Sequence, residues 1–346
     1  MDKEARRSHS YSLKHSSQLP TNIAESIAQI KTFALHEFDR EIAQKQLYYH
    51  SREHVDNVQR RANQIFQAIC PYWKAAPDEG QPTIDILRMK LLLDLCAYAH
   101  DMVQVFVAQT QPHASRQRKP GVSETATIER LLDYINQLNQ QLRKHDPASE
   151  AILTDEDITI IRDAIAATIC AYDPTEGAIY QPDLYAPNKS LSIVARILAL
   201  ADIGALGIDG VKIYHQEGSL LVLEENLDLI PLLLDGTIHT LGSDNSEYQN
   251  IQKRLLSRCR FQVNFAKSRL ARLEREVAGF PEDAISTLTH KVFKYLNPTT
   301  IQEIEAMTPT NENATLEVLL QFFELERYLN IAEKDGNFFK TTAKDS

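Results

Sequence analysis

Hydrophobic positions along this chain recur with a period near 3.6 residues, the spacing that puts one stripe of a helix against a core. Alternating stretches bounded by turn residues, the mark of half-buried strands, are nearly absent, apart from a weak candidate over 219–223. The pattern predicts an all-α fold, with helices over about 22–39, 45–69, 83–107, 123–143, 155–171, 190–206, 226–234, 245–277, 282–296 and 314–332. Several ends carry explicit signals. Thr154 with Asp157 three residues on makes a capping box, Pro174 and Gly177 stop the helix that ends near Tyr172, and Gly279 and Pro281 separate two C-terminal helices. Residues 109–122 and 174–189 are long polar connections, a length more often functional than idle in a compact helical domain. A change of character over 210–218 suggests four segments: a disordered tail over 1–22, a helical unit over 23–210, a helical extension over 211–335 packed on it, and a flexible tail over 336–346.

Composition narrows the chemistry. With 43% hydrophobic residues in 346, the chain can bury a large core, so disorder of the whole is excluded. Its 11 glycines are about half the usual share, and neither GxGxxG nor GxxxxGK[ST] occurs. Gly204, Gly207 and Gly210 come nearest, but they follow a helical pattern with no strand before them. A bound phosphate must then be held by a cation and side chains instead of a backbone loop. The net charge of −10 argues against broad nucleic-acid or anionic-membrane binding. Cys70, Cys96, Cys170 and Cys259 lie far apart in or beside apolar helical stretches, as core thiols in a reducing compartment do. Residues 1–22 hold no apolar stretch fit for a signal peptide, and the most apolar segment, 86–108, is broken by Arg88, Lys90, Asp94, His100 and Asp101. A cytoplasmic protein with no membrane partner is the expectation.

The chemistry-bearing residues fall in three pieces: His50 and His54 in YYHSREHVDNV, His100-Asp101 in LCAYAHDM, and Asp202 in ILALADIGALG. His50 and His54 are spaced i, i+4, so they project from one helix face; two surface histidines on a half-exposed helix are the plain alternative. His100-Asp101 follows a densely apolar helix, where an imidazole beside a carboxylate is costly without a compensating charge or metal. The other His-Asp pair, His145-Asp146, stands in a polar stretch before Pro147 and needs only solvent. Asp202 continues the inward line of Val194, Leu198 and Ala201 near a helix C-terminus. Burial and the negative end of the dipole both penalise a carboxylate there, and one cation relieves both. An ion pair with Arg196 is the alternative. Three helices thus present His54, His100, Asp101 and Asp202, a mixed nitrogen and oxygen set suited to one divalent ion among Mn, Fe, Co, Ni, Zn or Mg.

The order H…HD…D, opening as Tyr49-His50-x-x-x-His54, resembles the HD-domain superfamily of metal-dependent phosphohydrolases over about residues 30–210. The resemblance implies an all-helical HD-like bundle, His54, His100, Asp101 and Asp202 as metal ligands, and His50 as a pocket residue that protonates a leaving oxygen or holds a phosphate. SETATI, Ser123 to Ile128, is similar to the NExxSA element of one subgroup, which places Glu124 near the site; helix capping is an equal reading of Glu124. Two-metal relatives carry extra histidines between the HD helix and the last aspartate, whereas here that interval holds only His113 and His145, with Thr168 on the inward helix face. A single metal is expected. Arg116, Arg118 and Lys119 form a local positive cluster before Glu124 that can grip phosphate oxygens, or remain a solvated mobile loop.

The expected activity is hydrolysis of a phosphoester, a nucleotide among the candidates, by a metal-activated water that Asp101 orients or deprotonates. The rival is a catalytically silent HD scaffold that binds a nucleotide or a protein partner through the helices after 210. A third reading makes the histidines ordinary core residues whose imidazoles do not converge. The basic amphipathic helix over 245–277 can cover the core, pair with another subunit in a homodimer or close the pocket.

Overall fold

The computed structural model describes residues 18–73, 85–109, 113–186 and 191–334. The tails expected over 1–22 and 336–346 lie mostly or wholly outside the described residues, as do 110–112 and 187–190 of the two long connections. The chain is mostly α-helical. At its centre stands α3 (Ile86–Ala99), where Leu92, Leu93, Leu95, Cys96, Ala97 and Ala99 are all buried. A helix apolar on nearly every side needs neighbours on every side. α1 (Ile23–Lys45), α2 (Arg52–Trp73), α5 (Asp155–Ala166) and α6 (Ile193–Asp202) supply them, and α4 (Val122–His145) packs on α1 and α5. α6 is similarly apolar, with Val194, Ala195 and every residue from Ile197 to Ala201 buried. The side chains of Asn22, Thr154 and Ser192 accept from backbone N–H groups at three of these helix starts, and Thr154 with Asp157 completes the expected capping box. Each such cap stabilises its helix by about 1 kcal/mol.

The helix expected to run to 107 stops at Ala99. Beyond it the apolar segment continues extended, and its N–H groups find side chains instead of helical carbonyls: Val103 donates to Thr127 Oγ1, Gln104 to Glu41 Oε2 and Val105 to Ser123 Oγ. With each donor satisfied this way the chain has no need of the helix. The break also serves the site, because successive side chains on a continuing helix diverge by about 100°. The helix expected over 155–171 likewise ends early, and a small antiparallel hairpin follows, β1 (Ala171–Asp173) and β2 (Ala178–Tyr180), with Ala171 opposite Tyr180. Pro174 and Gly177 therefore shape a hairpin turn, not a helix stop.

The segment 219–223 is not a strand; it lies inside α7 (Val211–Glu225), where Ser219, Val222 and Leu223 are buried. A short apolar run fits a buried strand and a buried helix equally well by pattern alone. After α8 (Leu229–Leu234) comes α9 (Ser246–Val277), the longest helix described, then α10 (Glu282–Thr287) and α11 (Pro298–Met307). α11 was not foreseen, although Asn297 caps it and Pro298 opens it. The expected 314–332 helix is two, α12 (Leu316–Phe323) and α13 (Leu325–Lys334), broken at Glu324 with φ of 47°. Leu223, Leu229, Leu255, Cys259, Leu319 and Phe323 belong to a second core, while α9 also sends Val263, Leu273 and Val277 into the first. α9 therefore stitches the two cores together. Its arginines are spent largely inside the chain: Arg254 on Asp228, Arg269 on Glu276, and Arg272 on Asp173 and Glu176. No helix among the described residues is long and apolar enough to cross a membrane.

Candidate metal centre

Three helix ends converge on one point. His54 sits in the first turn of α2, His100 and Asp101 at the end of α3, and Asp202 is the last residue of α6. One ligand atom from each of the four lies within 4.8 Å of the others. His54 Nε2 is 3.2 Å from Asp101 Oδ2 and 3.7 Å from Asp202 Oδ1; His100 Nε2 is 3.1 Å and 3.5 Å from the same oxygens. Neighbouring ligands around an ion with bonds near 2 Å stand about 3–4 Å apart. His50 and His54 are both buried, so they are not surface histidines. Arg196 does not pair with Asp202; its Nη1 donates to the Glu276 carbonyl at 3.3 Å.

Hydrogen bonding decides what the imidazoles present. His100 Nδ1 lies 3.0 Å from the Ala97 carbonyl, which only a ring N–H can satisfy, so a neutral His100 turns a lone pair at Nε2 toward two carboxylates. An acceptor facing acceptors is repulsive unless a cation or a proton stands between them. His100 Nε2 and both nitrogens of His54 are buried and have no hydrogen-bond partner among the described residues. The donor set therefore fits a divalent ion. With no ion there, burial would lower the His100 pKa, but Asp101 and Asp202 hold it well above the ordinary value. Burial would raise Asp101, but His100 and His50 hold it well below. The cluster demands positive charge at its centre.

Around the four ligands is a supporting ring. Gln181 Nε2 donates to Asp202 Oδ2 (3.2 Å) and Gln104 Nε2 to Asp101 Oδ1 (3.1 Å), which hold the carboxylates in place. Metal-binding side chains are commonly oriented by such neighbours. Glu224, at the end of α7, accepts the backbone N–H groups of Tyr48, Tyr49 and His50 on one oxygen, each at 3.0 Å, and His50 Nδ1 on the other at 2.5 Å. Burial would raise this carboxyl, yet His50 and Arg118 bring it down to about 2. His50 Nε2 in turn accepts from Arg118 Nη1 at 2.8 Å and stands 3.7 Å from Asp101 Oδ2.

All of this opens on a cavity of about 560 Å³ that His50, Asp101, Glu124, Arg118, Lys119 and Asp202 help to line. Glu124 has its carboxyl pushed up by burial and by Asp101, despite Arg118. The expected phosphate-gripping trio divides. Arg118 points its guanidinium at His50 and Gln104, and Lys119 is exposed at the cavity edge. Arg116 is corrected: its guanidinium is consumed by the carbonyls of Glu224, Lys45 and Gln46, and it also stacks on Phe106. It is a strut between α1 and α7, with no fork left for phosphate. Gly204, Gly207 and Gly210 hold no anion loop either; a Cβ on Gly207 would press on Phe293 and Leu296 at 3.0–3.1 Å, so the glycine lets α6 and its following turn approach the C-terminal helices. His113 and His145 are exposed and take no part.

Sequence reasoning missed Glu224, Gln104 and Gln181. Glu224 had a signal, a carboxylate closing the apolar run LLVLE, hidden by the strand reading of that segment. The two glutamines carry none, since nothing in a sequence marks which glutamine folds back on a ligand. No protein-family model matches the chain, and no curated protein or solved structure matches it either.

Proposed function

We propose that the protein is a single-metal phosphohydrolase of the HD type that hydrolyses a phosphoester. The observation that carries this is the convergence of two imidazole Nε2 atoms without hydrogen-bond partners on two carboxylates inside a cavity with Arg118 and Lys119 on its wall. His54, His100, Asp101 and Asp202 hold the ion, which when bound supplies Lewis acidity to water and to a phosphoryl oxygen. Asp101 offers a second oxygen, Oδ1, fixed by Gln104, to orient or accept the proton of the attacking water. Arg118 and Lys119 take the anionic oxygens. Glu124 lines the same cavity, where burial and Asp101 push its carboxyl up, and it is the group we assign to the leaving oxygen. His50 accepts a hydrogen bond from Arg118 in this arrangement, so its first duty is to aim that guanidinium.

Metal content by mass spectrometry and phosphate release across nucleotide mono-, di- and triphosphates and cyclic dinucleotides test the proposal on the wild type and Asp101→Ala. The expected result is about one divalent ion per chain, turnover of at least one phosphoester, and a loss of about 10³-fold or more in the variant. Bound metal with no turnover on any of these esters leaves the silent-scaffold reading in possession, and absence of metal defeats the site.

A further inference from the structure

The carboxamide of Gln104 stands behind the metal cluster and touches two of its parts at once. Gln104 is fully buried and does not line the cavity, whereas Asp101 and Arg118 both do. Its Oε1 accepts from Arg118 Nη1 at 2.8 Å, and its Nε2 donates to Asp101 Oδ1 at 3.1 Å. The two ends cannot be exchanged. A guanidinium only donates and a carboxylate only accepts, so the oxygen must face Arg118 and the NH2 must face Asp101. One side chain therefore holds an ion ligand at one end and an anion-gripping cation at the other.

The main chain of Gln104 is in turn held from α1. Its N–H donates to Glu41 Oε2 at 3.1 Å and its carbonyl accepts from Lys45 Nζ at 2.5 Å, while the same lysine pairs with the same Glu41 oxygen at 2.5 Å. Glu41 is itself buried, and Arg130 of α4 stands 3.7 Å from its other oxygen. On the far side, both hydrogens of Arg118 Nη1 are taken, one by Gln104 and one by His50 Nε2, also at 2.8 Å. Two acceptors on one nitrogen fix the plane of the guanidinium. Its Nη2 and Nε keep their N–H groups for a ligand, since neither is bonded to a described residue. Two parallel donors make the fork that matches two oxygens of a phosphoryl group.

We propose that Gln104 is a positioning residue that ties the ion ligand Asp101 to the anion grip Arg118. The carboxamide gives the two a shared support, so a disturbance at residue 104 is felt both at the ion and at the phosphoryl oxygens. A glutamine that only filled space would be replaceable by methionine, which has similar length and volume but no amide. The bridge is made of the chain's own hydrogen bonds; it rests on the phosphohydrolase reading only for the use which that reading makes of the ion and the phosphoryl group.

Calorimetric titrations of the full chain with manganese chloride, and then with inorganic phosphate at saturating manganese, test the bridge without turnover. Gln104→Met is expected to weaken manganese binding about 10–100-fold and phosphate binding about tenfold. Arg118→Met supplies the second axis of a double-mutant cycle. In that background Gln104→Met should no longer change phosphate affinity, because the group it positions is gone, yet it should weaken manganese by the same factor as before. A variant that merely misfolds would lose phosphate affinity in both backgrounds. Unchanged affinities in Gln104→Met, a loss in only one of the two, or a phosphate loss that persists undiminished beside Arg118→Met overturns the bridge, and a wild type that binds no manganese overturns both ideas. Binding of manganese and phosphate with these couplings but no phosphate release from any ester overturns the phosphohydrolase reading and leaves the bridge standing.

Discussion

One face of α2 carries two buried polar clusters two turns apart, and they are built on opposite principles. At Arg61 the charges close on themselves: its guanidinium reaches Asp209 at 2.6 Å and also Glu217, and Arg60 adds a second bond to Asp209 at 2.8 Å. Two cations meet two anions. Burial would lower the Arg61 pKa, but Glu217 and Asp209 more than reverse it. At His54 two carboxylates face two imidazoles whose Nε2 atoms have no hydrogen-bond partner among the described residues, and no arginine or lysine among those residues pairs with either carboxylate. The first cluster ties Asp209, in the turn that follows α6, and α7 to α2; the second is left open, in a geometry that could hold a metal ion. Burial of charge thus marks function only where the charge is left open.

The largest stability effect expected from this contrast is at the closed cluster. Arg61→Met strands Glu217 without its buried partner and leaves Asp209 with Arg60 alone, so unfolding in urea should show a loss of about 3–5 kcal/mol. Metal content should not change. Asp101→Ala should do the reverse, costing metal and activity while leaving the protein folded in chelator. If Arg61→Met strips the metal, or Asp101→Ala alone unfolds the protein, the division into closed and open clusters fails.

The open cluster was legible in the sequence and its surroundings were not. Ligands declare themselves because histidine and aspartate are conspicuous in apolar helices, and the i, i+4 spacing and the inward line of Asp202 give their direction before any fold is known. All-helical architecture was legible for the same reason, through the period of the apolar positions. What escaped depends on long-range contacts. The end of α3 at Ala99 is set by Glu41, Ser123 and Thr127, which lie elsewhere in the chain. Arg116 looked like a phosphate ligand because charge is visible in a sequence, whereas the carbonyls that occupy it are not. The weak strand at 219–223 hid α7, and with it Glu224.

Metal linkage sharpens the comparison at a smaller scale. An ion that binds only the folded chain stabilises it by about 2.7 kcal/mol at a hundredfold excess over its dissociation constant. Adding manganese after chelator should raise the unfolding midpoint of the wild type and of Arg61→Met by the same increment. Asp101→Ala should gain none. An equal gain in all three places the ion somewhere other than the open cluster.

The smallest expected effect on activity concerns Glu224, which belongs to both kinds of cluster, being satisfied by the chain and yet facing the open site. Arg118 can only donate, so His50 Nε2 accepts from it, and His50 Nδ1–H must then donate to Glu224. Glu224→Gln can still accept the three backbone N–H groups with its carbonyl, but then turns an NH2 donor toward Nδ1. The imidazole must move its proton to Nε2, where it opposes the Arg118 donor. Phosphate release should fall about 10–100-fold with metal content unchanged, the size typical of residues that orient a site from behind. The pH dependence supplies a readout that a merely misfolded variant would not reproduce. A carboxyl depressed to about 2 from an ordinary 4.5 adds stability that is complete above 4.5 and lost as pH falls toward 2. The wild type should therefore lose about 3 kcal/mol from this group across that window, and Glu224→Gln, which cannot titrate, should show an acid limb flatter by that amount. An unchanged acid limb would mean that Glu224 is not the carboxylate locking His50.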